Sequence, residues 1–128
     1  SDAKHKENIQ TIDSALDKVL ALRGVYYNLK DEPEETFDEF GNSIKPRKIG
    51  FIAQEVRPIV PEVVDEIEDQ KDGETTLTVD YGVITSLTVE AIKEQQEIIN
   101  NQQEVINSQQ AQIDELRAMV QELMNRNS

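Results

Sequence analysis

The stretch from residue 92 to residue 123, IKEQQEIINNQQEVINSQQAQIDELRAMVQEL, decides how the rest of the chain is read. Ile92, Ile99, Ile106, Ile113 and Val120 recur at every seventh residue and occupy the a positions of a heptad repeat. Gln95, Gln102, Gln109, Leu116 and Leu123 fill the matching d positions. One register kept over five heptads is the pattern of a coiled coil. β-Branched a residues with Leu at d would permit a dimer. Three successive Gln layers at d weaken the seam and select register and strand number, and Ile alternating with Gln suits three strands. A parallel trimer is the expectation, with a stalk of roughly 50 Å at ~1.5 Å per residue. The alternative, one long surface helix packed on its own domain, would need a wider apolar stripe.

Working outward, the stalk claims residues 85–128 and leaves residues 1–84 for a small globular domain. Only 37% of the 128 residues are hydrophobic, so that domain buries a modest core, for which oligomerisation is a common remedy. The net charge is −13, from 26 acids against 13 bases. Nucleic acid and anionic membrane both demand a basic surface, so neither is expected as a partner. Three copies would carry −39, three times −13, which favours solubility and adds self-repulsion. The chain has no cysteine, which excludes disulfides and thiol chemistry. No apolar run approaches the ~18 residues of a membrane span, and no signal-peptide pattern opens the chain.

The globular part reads as α+β. Ile9, Ile12, Leu16, Val19 and Leu22 recur at helical spacing and predict an amphipathic helix over residues 2–22, capped by Ser1 or Asp2 and stopped by Gly24. Short strands are expected at residues 25–29, 48–52 and 75–79. Ala53-Gln54-Glu55-Val56 reads as a helical turn, and the acidic residues 31–40 as a solvated loop or hairpin before the Gly41-Asn42 turn. Val60, Val63 and Val64 are expected inside. A turn is expected near Asp72-Gly73, and Asp80-Tyr81 leads into the last helix.

Two residues could carry chemistry. A serine hydroxyl such as that of Ser1 is a poor nucleophile until a base takes its proton, and a lysine serves as that base only when neutral. At ~100° per residue, Lys6 lies about 60° from Ile9, bordering the expected buried stripe, whereas Lys4 lies about 140° away. Lys6 is therefore the better base. A five-residue step does not bring two side chains together along a regular helix, so Ser1 must fold back over the first turn. On spacing alone, the plainer reading is a capping serine and a solvated lysine. His5, the only histidine, reads as a packed or capping residue. No metal site or cofactor is expected: ligands do not cluster, and no acidic loop has the spacing of a calcium-binding hand.

Ser1-Asp2 with Lys6, Gly24-Val25-Tyr26-Tyr27, Lys48-Ile49-Gly50-Phe51-Ile52-Ala53-Gln54-Glu55-Val56, Pro61-Glu62-Val63-Val64 and Val79-Asp80-Tyr81 follow one another in an order that carries a resemblance. The chain resembles the C-terminal intramolecular chaperone domain of bacteriophage tailspikes, endosialidases and tail fibres, and a similar domain of the myelin regulatory factor. The likeness runs from residue 1 to about residue 93, and its most specific motif is the segment from Gly50 to Val56.

The resemblance implies a homotrimer that drives folding of the fibre or tailspike upstream in the same polypeptide and then cuts itself away. The cut falls before the serine matching Ser1, and the lysine of the family's Ser-Lys dyad maps onto Lys6. The chain would then be the released product of a single-turnover self-cleaving serine endopeptidase. It would act in the bacterial host cytoplasm during phage assembly and be absent from the mature virion. Gln54 is a conceivable supporting residue near the dyad, more simply read as structural. The competing readings are a non-proteolytic trimerisation or stalk module of a fibrous adhesin, and the processing domain of a membrane-tethered regulator.

Overall fold

The structure, a computed structural model, describes residues 1–127. The chain divides into two compact units, Ser1–Ala91 and Ile92–Ser128.

The first unit mixes short helices and short strands around a small aliphatic core. Ala15, Val56, Val60, Val63, Ile84, Leu87 and Ala91 are buried together, and Leu16, Val19, Leu22, Phe51, Ile59, Val64 and Val79 pack against them. Each fully buried Val or Leu side chain contributes roughly 1.5–3 kcal/mol of hydrophobic stabilisation. No polar or charged residue is buried among the described residues.

Three two-stranded antiparallel ribbons surround this core. Strand β1 (Val25–Tyr27) pairs with β4 (Lys48–Gly50), setting Val25 opposite Gly50 and Tyr27 opposite Lys48. Between these two strands the chain makes a hairpin of β2 (Thr36–Phe37) and β3 (Ser43–Ile44). Asp38 organises its turn, its carboxylate accepting from the Phe40 and Asn42 amides and from the Asn42 side chain. Strands β5 (Val64–Glu68) and β6 (Thr75–Val79) pair along their whole length, with Gly73 left-handed at φ 71° in the turn.

Strand β5 is not among the strands expected from the sequence. Its sequence, VDEIE, is rich in acids, and the only half-buried residue of the strand is Val64. The hydrophobic signal is too thin to mark a strand, and backbone pairing with the Thr-rich β6 supplies the order instead.

The N-terminal helix is also corrected. Residues 2–22 form no continuous helix: a 3-10 turn occupies Ala3–His5, and helix α1 covers only Ala15–Ala21. Asn8 and Ser14 between them adopt left-handed backbone, at φ 54° and 50°. Helices in proteins persist mainly by burying an apolar face. Ala15, Leu16, Val19 and Leu22 reach the core, whereas Ile9 is 71% exposed, so the upstream turns of such a helix would have no surface to pack on. Lys6 and His5 consequently border no buried stripe and are both exposed.

Helix α2 (Ala53–Val56) follows β4 directly, burying Ala53 and Val56. Arg23, just past α1, clamps it by a bidentate pair to Glu55 at 2.9 and 2.7 Å. Hydrogen bonding to this guanidinium holds the Glu55 carboxyl below the ordinary carboxylate range. The segment around Gly50 is pinned by Tyr81: its hydroxyl accepts from the Phe51 amide at 3.1 Å and its ring stacks on Phe51 at 5.9 Å. A Cβ on Gly50 would collide with that hydroxyl, which accounts for glycine there.

Helix α3 runs from Tyr81 to Arg126. Asp80 stands before it, its carboxylate accepting from the Val83 amide at 3.2 Å while its own amide donates to the Val63 carbonyl at 2.8 Å. The early turns serve the globular core through Ile84, Leu87 and Ala91. From Ile92 onward every described residue but Glu94 is exposed.

Candidate functional site

Ser1 and Lys6 are brought together by a single tight turn. Asp2 is its N-cap, with extended backbone and a side chain that accepts from the Lys4 amide at 3.0 Å. The turn closes as the His5 amide donates to the Asp2 carbonyl at 3.2 Å and the Lys6 amide to the Ala3 carbonyl at 3.0 Å. Lys6 then returns to extended backbone (φ −123°, ψ 144°), and its Nζ donates to Ser1 Oγ at 3.0 Å.

The contact thus arises by a route other than a helix face. In a helix continued through residue 6, Lys6 would sit about 140° around and ~7.5 Å along from Ser1. The 3-10 turn and the extended residue after it remove that separation. Left-handed Asn8 then keeps the chain from re-entering the helical course. Asparagine tolerates that conformation better than most residues.

Chemically, the pair joins an amine to a hydroxyl. A lysine accepts a proton only in its neutral form, which withdrawal from water favours. Both groups are exposed in the single chain. Lys4 lies apart, its Nζ 3.9 Å from Asp2 Oδ2. Gln54 is exposed on α2, and no hydrogen bond ties it to Ser1 or Lys6 among the described residues. Nor do the described residues hold a group of three or more His, Cys, Asp or Glu side chains able to bind a metal ion. No described helix is long and apolar enough to cross a membrane.

A second candidate surface is the stripe on the stalk portion of α3. Ile92, Ile99, Ile106, Ile113, Leu116, Val120 and Leu123 are all exposed in the single chain, Ile106 to 54%. Six of the glutamines of this helix fall into two sets. Gln96, Gln103 and Gln110, at e positions, donate to Asn100, Asn107 and Asp114 one turn on, at 2.9, 2.9 and 3.0 Å. Gln95, Gln102 and Gln109, at d positions on the apolar stripe, enter no such pair. The sequence located this stripe; the ladder of paired amides beside it was missed, although the i,i+4 spacing of Gln with Asn or Asp could have shown it.

Residues 1–65 match the family described as the chaperone of endosialidase, a span that includes Ser1, Lys6 and the segment from Gly50 to Val56. The chain is 37% identical over 93 residues to the long tail fiber protein Gp37 of Enterobacteria phage K3, covering 73% of this chain and 7% of that protein. It is equally identical, over the same share of itself, to Gp37 of Enterobacteria phage T2, of which it covers 6%. The Gp37 of Escherichia phage AR1 is 34% identical over 94 residues, 73% of this chain and 8% of the relative. The chain therefore spans less than a tenth of the length of these relatives.

Proposed function

The chain belongs to the chaperone-of-endosialidase family, and from that premise we propose that it is a self-releasing chaperone for a trimeric phage tail fibre. Its client is the fibre portion upstream in the same polypeptide, and its site of action is the bacterial host cytoplasm during virion assembly. Long interwound β-structures have high contact order, so they fold slowly and expose strand edges meanwhile. A helix carrying five heptads holds three chain ends together and raises their effective concentration.

Release follows from the pair at the other end. The Ser1 hydroxyl attacks the carbonyl carbon of the residue before it while neutral Lys6 Nζ takes the hydroxyl proton. The C–N bond breaks, the leaving amine of Ser1 receives that proton, and the upstream acyl group is left as an ester on Ser1 Oγ. Water then hydrolyses the ester, giving an upstream carboxylate and a free Ser1. Cutting separates the folded fibre from its nucleus, making unfolding kinetically harder.

The observation that supports this reading is the 3.0 Å approach of Lys6 Nζ to Ser1 Oγ inside the family-matched span. A precursor with fibre residues restored before Ser1 tests it on a denaturing gel. Cutting before Ser1 is expected, lost in both Ser1→Ala and Lys6→Ala. A precursor that stays whole while trimeric would overturn it, and would favour the second reading, a permanent trimeric stalk module. That reading draws on the exposure of both dyad groups in the single chain.

A further inference from the structure

We infer that Asp2 is the positioning residue of the Ser1–Lys6 pair, an inference that rests on the dyad proposed above. Five residues separate the two members, and neither a helix nor a strand bridges that step. What bridges it is one 3-10 turn, and a turn this short has little cooperativity of its own. Its first free amide within reach of a cap, that of Lys4, is taken by the Asp2 carboxylate at 3.0 Å. The turn's two backbone bonds, to the Asp2 and Ala3 carbonyls, follow from the same geometry, and the second of them places Lys6.

The carboxylate's second oxygen lies 3.9 Å from Lys4 Nζ and draws the competing amine away from Ser1. That exposed ion pair is the weaker contribution, because such pairs are worth little in water. The cap is the stronger one. Asp2 touches neither Ser1 Oγ nor Lys6 Nζ, so it acts through the backbone. Its value to the pair is therefore geometric.

The test uses the same upstream-extended precursor, with cutting timed across a pH series. Loss of an N-cap reduces the population of the capped turn by roughly fivefold, so Asp2→Ala should slow cutting by about that factor. The fall should be uniform in pH, leaving the midpoint of the rate profile where it was, because the titrating base is unchanged. Asp2→Asn keeps the acceptor oxygen and should restore the rate to within about twofold, since Asn caps as well as Asp. An Asp2→Ala chain that cuts at the wild-type rate would overturn the inference. So would an Asp2→Asn chain as slow as Asp2→Ala, or a midpoint that moves in both, because charge and not the cap would then be at work. A wild-type precursor that never cuts, or a Lys6→Ala precursor that does, removes the dyad itself and the role of Asp2 with it; the first three outcomes leave the dyad standing.

Discussion

The two units of the chain solve the burial problem in opposite ways. In Ser1–Ala91, seven aliphatic residues close a core within one chain, with short ribbons around it. From Ile92 onward the apolar residues recur every seventh position, yet they stand exposed in the single chain. The first unit therefore buries apolar surface within one chain, and the second leaves its stripe exposed. A single helix α3 serves both: Leu87 is 3% exposed, and Ile106, nineteen residues on, is 54% exposed.

That contrast yields graded expectations. Leu87→Ala should cost about 2–5 kcal/mol, read as a loss of urea or thermal stability of the globular unit, because a buried Leu leaves a cavity. A change under 1 kcal/mol would mean that the small core can collapse around the gap. Ile106→Ala should leave the fold of the globular unit unchanged and weaken self-association by roughly 1.5–3 kcal/mol per chain, seen as a shift in mass by light scattering on dilution. An unaltered mass at every concentration would show that the stripe does not hold copies together.

Smaller effects probe the joints of the first unit. Tyr81→Phe removes the acceptor of the Phe51 amide while keeping the stacked ring, and should cost about 0.5–1.5 kcal/mol in a denaturant melt. The smallest effect concerns Asp38, whose carboxyl is held below its ordinary range by the Asn42 side chain first and the Asn42 amide next. A depressed carboxyl contributes stability above its unfolded pKa and loses it as pH falls through the folded value. The β2–β3 turn should therefore loosen only below the ordinary carboxylate range. Amide exchange at Phe40 and Asn42 would report this, and Asp38→Asn should flatten the dependence.

Much of the fold was legible. Strands β1, β4 and β6, helix α2 and the long helix α3 all fall where alternation, β-branched content and heptad spacing put them. Each of these signals is local, and each segment's environment agrees with it. Strand β5 was illegible because four of its five residues are exposed and three are acids, so only the pairing with β6 declares it. The candidate site was half legible. Spacing and resemblance singled out Ser1 and Lys6, but the helix face invoked to join them does not form, and a turn capped by Asp2 joins them instead.

By itself the sequence determined α3 and its stripe, because a seven-residue period is a property of neighbours along one chain and needs no other part of the molecule to express it. It also determined which residue types stand at the two ends of the five-residue step from Ser1 to Lys6. Only the tertiary structure decided the course of residues 6–14. A helix persists where its apolar face finds a surface, and the core formed by Val56, Val60, Val63 and Leu87 takes in Ala15 and Leu16 while Ile9 stays exposed.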